Sequence, residues 1–212
     1  MKLLHIQWVD TFSLSAYNPT THHPTLPLKG EGEGGGMVKK DTLNETMTEN
    51  LKENEIPIRE ATEHDIPQLS IHHRKMFEEI WEKKGAYISN LVCSEIEKAY
   101  AQKLSQELKS GVCKVWVIEN KELIIASGGI TILSFVPTPN DFSSHVAYLH
   151  SMYTEKGYRN HNFANQIVRE ALQYCKANRI KRVILNASEA GRPIYEKIGF
   201  RSAPEILRLN ID

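Results

Sequence analysis

Three groups of residues in this chain could do chemistry together. An apolar strand, His145 to Thr154, runs into the polar turn Glu155 to Asn162 and then into a helix pattern starting at Phe163. A strand that delivers the first amides of a helix makes an anion site, because those N–H groups have no partner inside the helix. A second apolar strand, Arg182 to Ala187, is followed by a short helix opened by Pro193 and carrying Tyr195. Tyr195 is a phenol that holds its proton at neutral pH. His150 lies on the first strand and has a side chain that titrates near neutrality. Two strand–helix units in succession set their strand ends side by side. That layout suits a ligand with a phosphate at one end and a reactive group at the other.

The elements needed to hold these groups are legible around them. Phe163, Ile167, Val168, Ala171, Leu172 and Cys175 make one apolar helical stripe, with Gln166, Arg169, Glu170, Gln173 and Lys176 on the wet side. Upstream, Ile56 to Arg59 reads as a short strand. Thr62 with Asp65 three residues on reads as a capping box. Ile66, Leu69, His73, Met76, Phe77 and Ile80 then share a helical face that Gly85 ends. His73 on that face reads first as a packed, hydrogen-bonded histidine. A second helix follows, with Val92, Ile96, Tyr100, Leu104 and Leu108 on one side and Gly111 as its cap. The period then changes. Val112 to Ile118 and Leu123 to Phe135 are apolar runs joined by a short polar link, which predicts an antiparallel hairpin. Gly128-Gly129 inside the second run predicts a bulge or a close backbone approach. Leu207 and Leu209 suggest a closing strand.

Residues 1–54 do not read as part of a globular domain. Pro19, Pro24 and Pro27 precede a Gly/Glu run at 30–36, and the stretch to Glu55 is polar and charged. Such composition buries too little apolar area to offset ordering entropy. The expected organisation is a disordered extension over 1–54, dispensable or absent if translation starts at Met37 or Met47, and one folded domain over 55–212. Lys+Arg and Asp+Glu are 26 each, a net charge of zero. That balance argues against a broad nucleic-acid or membrane footprint. No stretch reaches transmembrane length. Cys93, Cys113 and Cys175 lack metal or redox spacing, which reads as three reduced thiols in a cytoplasmic protein. No metal site is expected.

The stretch Tyr153-Thr154-Glu155-Lys156-Gly157-Tyr158-Arg159-Asn160-His161-Asn162-Phe163-Ala164 resembles the acyl-CoA-binding motif of the GNAT superfamily of N-acetyltransferases. Leu185-Asn186-Ala187-Ser188 followed by Gly191 to Phe200, with its Tyr-Glu-Lys-Ile-Gly-Phe ending, resembles the superfamily's next motif more specifically. His73-Arg74-Lys75-Met76-Phe77 resembles a bacterial branch. The resemblance runs from about Ile56 to Asp212 in order. It implies an α/β fold with a mixed, mostly antiparallel sheet and helices on both faces. It implies acetyl transfer from acetyl-CoA to a primary amine by direct attack in a ternary complex.

The resemblance also implies roles. Backbone N–H groups from Arg159, Asn160, His161, Asn162, Phe163 and Ala164 would hold the pyrophosphate. Met152, Tyr153 and Thr154 on the strand, and Asn186 on the next one, would line the rest of the acetyl-CoA site. An amide near Met152 would polarise the thioester carbonyl, and Tyr195 would serve the leaving thiolate. His150 is one candidate base; Glu78 or Glu79, acting through water, are others. The sequence departs from the motif at Asn162, and at Asn160, where glycine is usual. The acceptor is a small-molecule or protein amine, and a homodimer stays open. A non-catalytic acyl-CoA sensor is the alternative reading.

Overall fold

The computed structural model describes residues 56–204 and 206–209. The expected extension over 1–54 lies outside the described residues. The strands are β1 (Ile58–Glu60), β2 (Cys113–Asn120), β3 (Leu123–Ser134), β4 (His145–Thr154) and β5 (Val183–Leu185). The helices are α1 (Ile66–Glu82), α2 (Asn90–Ser110), α3 (Phe163–Ala177) and α4 (Arg192–Ile198). The strands form one sheet in the order β1-β2-β3-β4-β5. Only β4 and β5 run parallel; every other neighbouring pair is antiparallel. The mixed, mostly antiparallel sheet expected from the sequence is therefore the one observed.

Two cores lie on opposite faces. One gathers α3, through Phe163, Ile167, Val168, Ala171 and Cys175, against Trp116, Ile118, Ile130 and Leu149 of the sheet. The other gathers Leu69 of α1 and Tyr100 and Leu104 of α2 against Cys113, Val115 and Val117. Helices thus cover both faces. Strand alternation explains the split, since neighbouring residues of β2 point to opposite sides.

Local signals mostly mark the right places. Asp65 accepts from the Thr62 N–H at 2.7 Å and from its hydroxyl at 3.2 Å, completing the entry to α1. Arg59 beside Asp65 holds that carboxyl down at about 2. Gly111 closes α2 at φ 71°, and Gly199 closes α4 at φ 112°. The β2–β3 turn is tighter than the sequence suggests. Only Lys121 and Glu122 lie between the strands, both left-handed at φ 48° and 65°, as a two-residue hairpin twist requires. Val92 sits outside the buried face of α2, where Cys93 takes the inner position. Among the described residues, the closing strand expected at Leu207 and Leu209 does not form. Residues 206–209 carry no strand, and both leucines are exposed. Two alternating leucines lack the run of apolar residues that a strand pattern needs. Among the described residues no helix is long and apolar enough to cross a membrane.

The glycine pair in β3 accounts for both of its predicted uses. A side chain at Gly129 would meet Lys114 O and Val115 Cγ2 at 2.8 Å, so there is no room for a Cβ between β3 and β2 at this point. Gly128 faces two residues of β4, because Ser127 pairs with Tyr153 and Gly129 with His150. Gly129→Ala should therefore cost about 1–3 kcal/mol. At roughly 2–4 °C per kcal/mol for a chain of this size, thermal unfolding should move down by several degrees. An unchanged melting curve would show that the strands part freely at this point.

Candidate functional site

The site begins at the β4 irregularity. Ser151 and Met152 together oppose the single Gly128, which is a β-bulge on β4. A bulge takes one residue out of the ladder and turns its backbone groups aside. Ser151 holds φ 55° there, a left-handed conformation that costs a side-chain-bearing residue about 1–2 kcal/mol. Met152 lies over Gly128; a Cβ on that glycine would come within 2.1 Å of its sulfur. The β4–β5 pairing covers only Ala147 to Leu149 against Val183 to Leu185, so the bulge lies just past the last paired residues.

Beyond the bulge, β4 leads into the loop before α3. Asn160 at φ 68° and Asn162 at φ 60° are both left-handed. They occupy the two positions where glycine is usual in the resembled motif, and asparagine adopts this region more readily than other side chains. The loop backbone thus keeps a glycine-like path. Asn162 is the N-cap of α3 yet gives no side-chain cap; its Oδ1 accepts from Asn165 Nδ2 at 3.0 Å instead. The first-turn amides of α3 are left for another partner, which fits a phosphate. His161 stacks on Phe163, and Phe163 is buried under the sheet.

Arg159 is turned away from those amides. Its guanidinium donates to both Glu79 oxygens at 2.8 Å and to Thr154 O at 2.9 Å. Tyr153 donates its hydroxyl to the same Glu79 at 3.2 Å. Burial alone would raise the Glu79 pKa, but the Arg159 partner outweighs it and lowers it. Arg159 and Glu79 therefore tie the loop to α1. A cleft of about 540 Å³ opens between the second half of α1 and residues 153–158, lined by Lys75, Glu79 and Tyr158 among others.

Tyr148 joins the two strand ends. Asn186 Nδ2 donates to the Tyr148 hydroxyl at 3.0 Å, across the point where β4 and β5 part. Tyr195, on α4, packs near it, with Phe200 5.9 Å away ring to ring. Burial, with a smaller contribution from Tyr148, pushes the Tyr195 phenol up to about 12. Sequence reasoning missed Tyr148, although its alternation with His150 along the strand was the signal that they share a face.

His150, one of the candidate bases, is held inside the protein. Its Nε2 lies 2.9 Å from Thr131 Oγ1 and its Nδ1 3.0 Å from Ser151 Oγ. Burial, with Lys103 and His73 nearby, pulls its pKa down to about 3. Both nitrogens are committed inside the protein. Glu79 is held by Arg159, and Glu78 accepts from Arg74 at 2.8 Å. His73 is packed, as its helical face suggested. It stacks on Tyr100 with centroids 3.9 Å apart and meets Ser151 Oγ through Nδ1 at 2.8 Å.

The comparisons with known proteins now decide the family. Residues 62–208 match the acetyltransferase (GNAT) domain family, which is most of the chain. The chain belongs to the GNAT acetyltransferases. It is an acyltransferase by family. No curated protein matches it. A predicted acetyltransferase from Clostridium acetobutylicum, solved with acetyl-CoA, is 26% identical with a TM-score of 0.66, over 73% of this chain and 96% of that one. A GCN5-related N-acetyltransferase from Ralstonia eutropha shares the fold at 19% identity and a TM-score of 0.65, over 73% and 98%. A putative acetyl transferase from Pyrococcus furiosus does so at 18% and 0.55, over 74% and 100%. The GNAT fold expected from the sequence agrees with these likenesses.

Proposed function

We propose that this GNAT domain transfers an acetyl group from acetyl-CoA to a primary amine by direct attack in a ternary complex. The observation that carries this reading is the β4 bulge at Ser151–Met152, set beside the parting of β4 and β5 with Tyr195 close by. Acetyl-CoA supplies the activated acyl carbon and a thiolate leaving group. The chain's residues supply the surroundings. Amides from Arg159 to Ala164 hold the pyrophosphate, and Met152, Tyr153, Thr154 and Asn186 line the remainder. The Met152 amide, at the bulge, donates where negative charge gathers on the carbonyl oxygen.

Tyr195 donates to the departing sulfur. With its pKa near 12, the phenol stays protonated throughout the working range. Handing its proton outright to a thiolate whose conjugate acid is near 8.5 would be uphill. Its role is therefore a hydrogen bond that strengthens as charge reaches sulfur. His150, Glu78 and Glu79 are all engaged with protein partners, so the amine attacks in its neutral form, and the proton it sheds as the amide forms passes to water or to the departing thiolate. kcat/KM should then rise tenfold per pH unit up to the pKa of the amine. A limb with a midpoint that stays fixed as the amine is changed would reveal a protein base.

The sensor alternative rested on Asn160 and Asn162 and on the missing base; the left-handed backbones of the two asparagines answer the first ground, and amine-dependent turnover tests the second. Asn162→Gly should tighten acetyl-CoA binding by up to roughly tenfold, on the order of 1.4 kcal/mol. Glycine keeps the conformation and removes the bulk beside the amides. Titration calorimetry with CoA on both proteins measures it. Weaker binding by the variant would make the Asn162 side chain a phosphate ligand in its own right. Amine-dependent release of free CoA tests the reaction itself.

A further inference from the structure

Ser151 is unusual among the residues with positive φ. Among the described residues, five others with a side chain share that conformation: Lys121, Glu122, Asn160, Asn162 and Arg179. All five lie outside the strands, and two are asparagines. Ser151 is buried and within a strand. Serine has little intrinsic taste for this region, so the surroundings must hold it there.

They do so from two sides. Ser151 Oγ sits between His73 Nδ1 on α1, at 2.8 Å, and His150 Nδ1 on β4, at 3.0 Å. The Ser151 hydroxyl has one proton and two lone pairs, so it can donate to at most one of the two rings. The rest of the network fixes which. Lys103 donates to Thr131 Oγ1 at 2.9 Å, and the Thr131 hydroxyl points on to Glu107. Thr131 therefore accepts from His150 Nε2–H. His150 Nδ1 is then bare and accepts the Ser151 proton, while His73 Nδ1–H donates to Ser151 Oγ. This polarity satisfies the contacts named, and the Tyr100 hydroxyl, 3.4 Å from His150 Nδ1, is a longer second approach to the same nitrogen. Burial keeps both rings neutral, with pKa values near 3, as that polarity requires.

We propose that Ser151 is a positioning residue: its hydroxyl, pinned between His73 and His150, locks the left-handed bulge of β4 and so fixes the direction of the Met152 amide. This rests on the reading of that amide as the group that polarises the thioester. It gives the two histidines a task other than proton transfer, and it links helix α1 to the reacting end of the site.

The pin makes an unusual demand on substitutions. Ser151→Ala removes both hydrogen bonds and leaves a side chain that resists positive φ. Ser151→Gly also removes them, but glycine adopts positive φ freely. The test compares wild type and both variants in the full chain, using acetyl-CoA and the fastest amine from a panel of primary amines. Ser151→Ala should lose about tenfold or more in kcat, with the acetyl-CoA Kd within roughly threefold of wild type. Ser151→Gly should recover most of that loss, to within about threefold. In 15N-labelled protein the Met152 amide resonance should shift in the alanine variant and stay near its wild-type position in the glycine variant. A glycine variant as slow as the alanine one would mean that the hydroxyl itself takes part in the reaction, and an alanine variant as fast as wild type would mean that no pin is needed; either overturns the proposal. If the wild type turned over no amine, the transferase reading would fall, and the Met152 resonance would still decide the pin. If the alanine variant does not fold, the glycine variant alone decides it, because a folded glycine protein with lost kcat contradicts the proposal.

Discussion

Tyr195→Phe should lower kcat by about a hundredfold, the usual cost of losing one donor aimed at developing charge. The acetyl-CoA Kd should stay within about twofold, because the bond matters chiefly as the thiolate forms. Stability should hardly change. The ring remains, with its contact to Phe200, and among the described residues the hydroxyl has no hydrogen-bond partner to lose. Steady-state kinetics, calorimetry and a melting curve together check this. A variant with normal kcat, in an assay limited by chemistry, would leave Tyr195 as a packing residue alone.

The second large effect is a loss of stability in mild acid. His73 and His150 have folded pKa values pulled down to about 3 by burial, against about 6.5 in the unfolded chain. The sign follows from proton counts. Below pH 6.5 the unfolded state takes up protons that the folded state refuses, so unfolding becomes easier as pH falls. The loss begins near 6.5 and continues down to the folded pKa near 3. At pH 5 each histidine forfeits roughly 2 kcal/mol, so the pair forfeits about 4 kcal/mol relative to pH 7.5. His72, pulled down to about 4 mainly by burial, acts in the same direction. The Asp65 carboxylate, held at about 2, adds its own loss only below about pH 4. Urea midpoints at pH 7.5 and 5.0 measure the effect. Equal midpoints would mean that the histidines open to water at little cost.

The elements that position the site were legible where the pattern was periodic. The bounds of β4, the stripe of α3, the Thr62–Asp65 entry and the glycine stops at Gly111 and Gly199 follow from alternation, helical spacing and capping chemistry. Asn160 and Asn162 were legible as departures from glycine, but only the backbone angles show that the path is kept. The histidine network was not legible. It joins α1, α2, β3 and β4 over spans of up to 78 residues, and no local spacing encodes contacts of that range. His150 looked like a base because its type and strand fit. Its fate depends on Thr131 and Ser151, whose side chains meet its two nitrogens only once β3 and β4 are paired. The β2–β3 hairpin was legible as a short polar link, but its two-residue length at Lys121-Glu122 was not, because neither residue belongs to the usual left-handed pair.

The most direct test of the account is release of free CoA, followed with a thiol reagent, from acetyl-CoA mixed with a panel of primary amines. Release should depend on an amine, match the amount of acetylated product by mass spectrometry, and fall about a hundredfold in Tyr195→Phe. Tight acetyl-CoA binding with no amine-dependent release across small amines, amino acids and lysine peptides would contradict it.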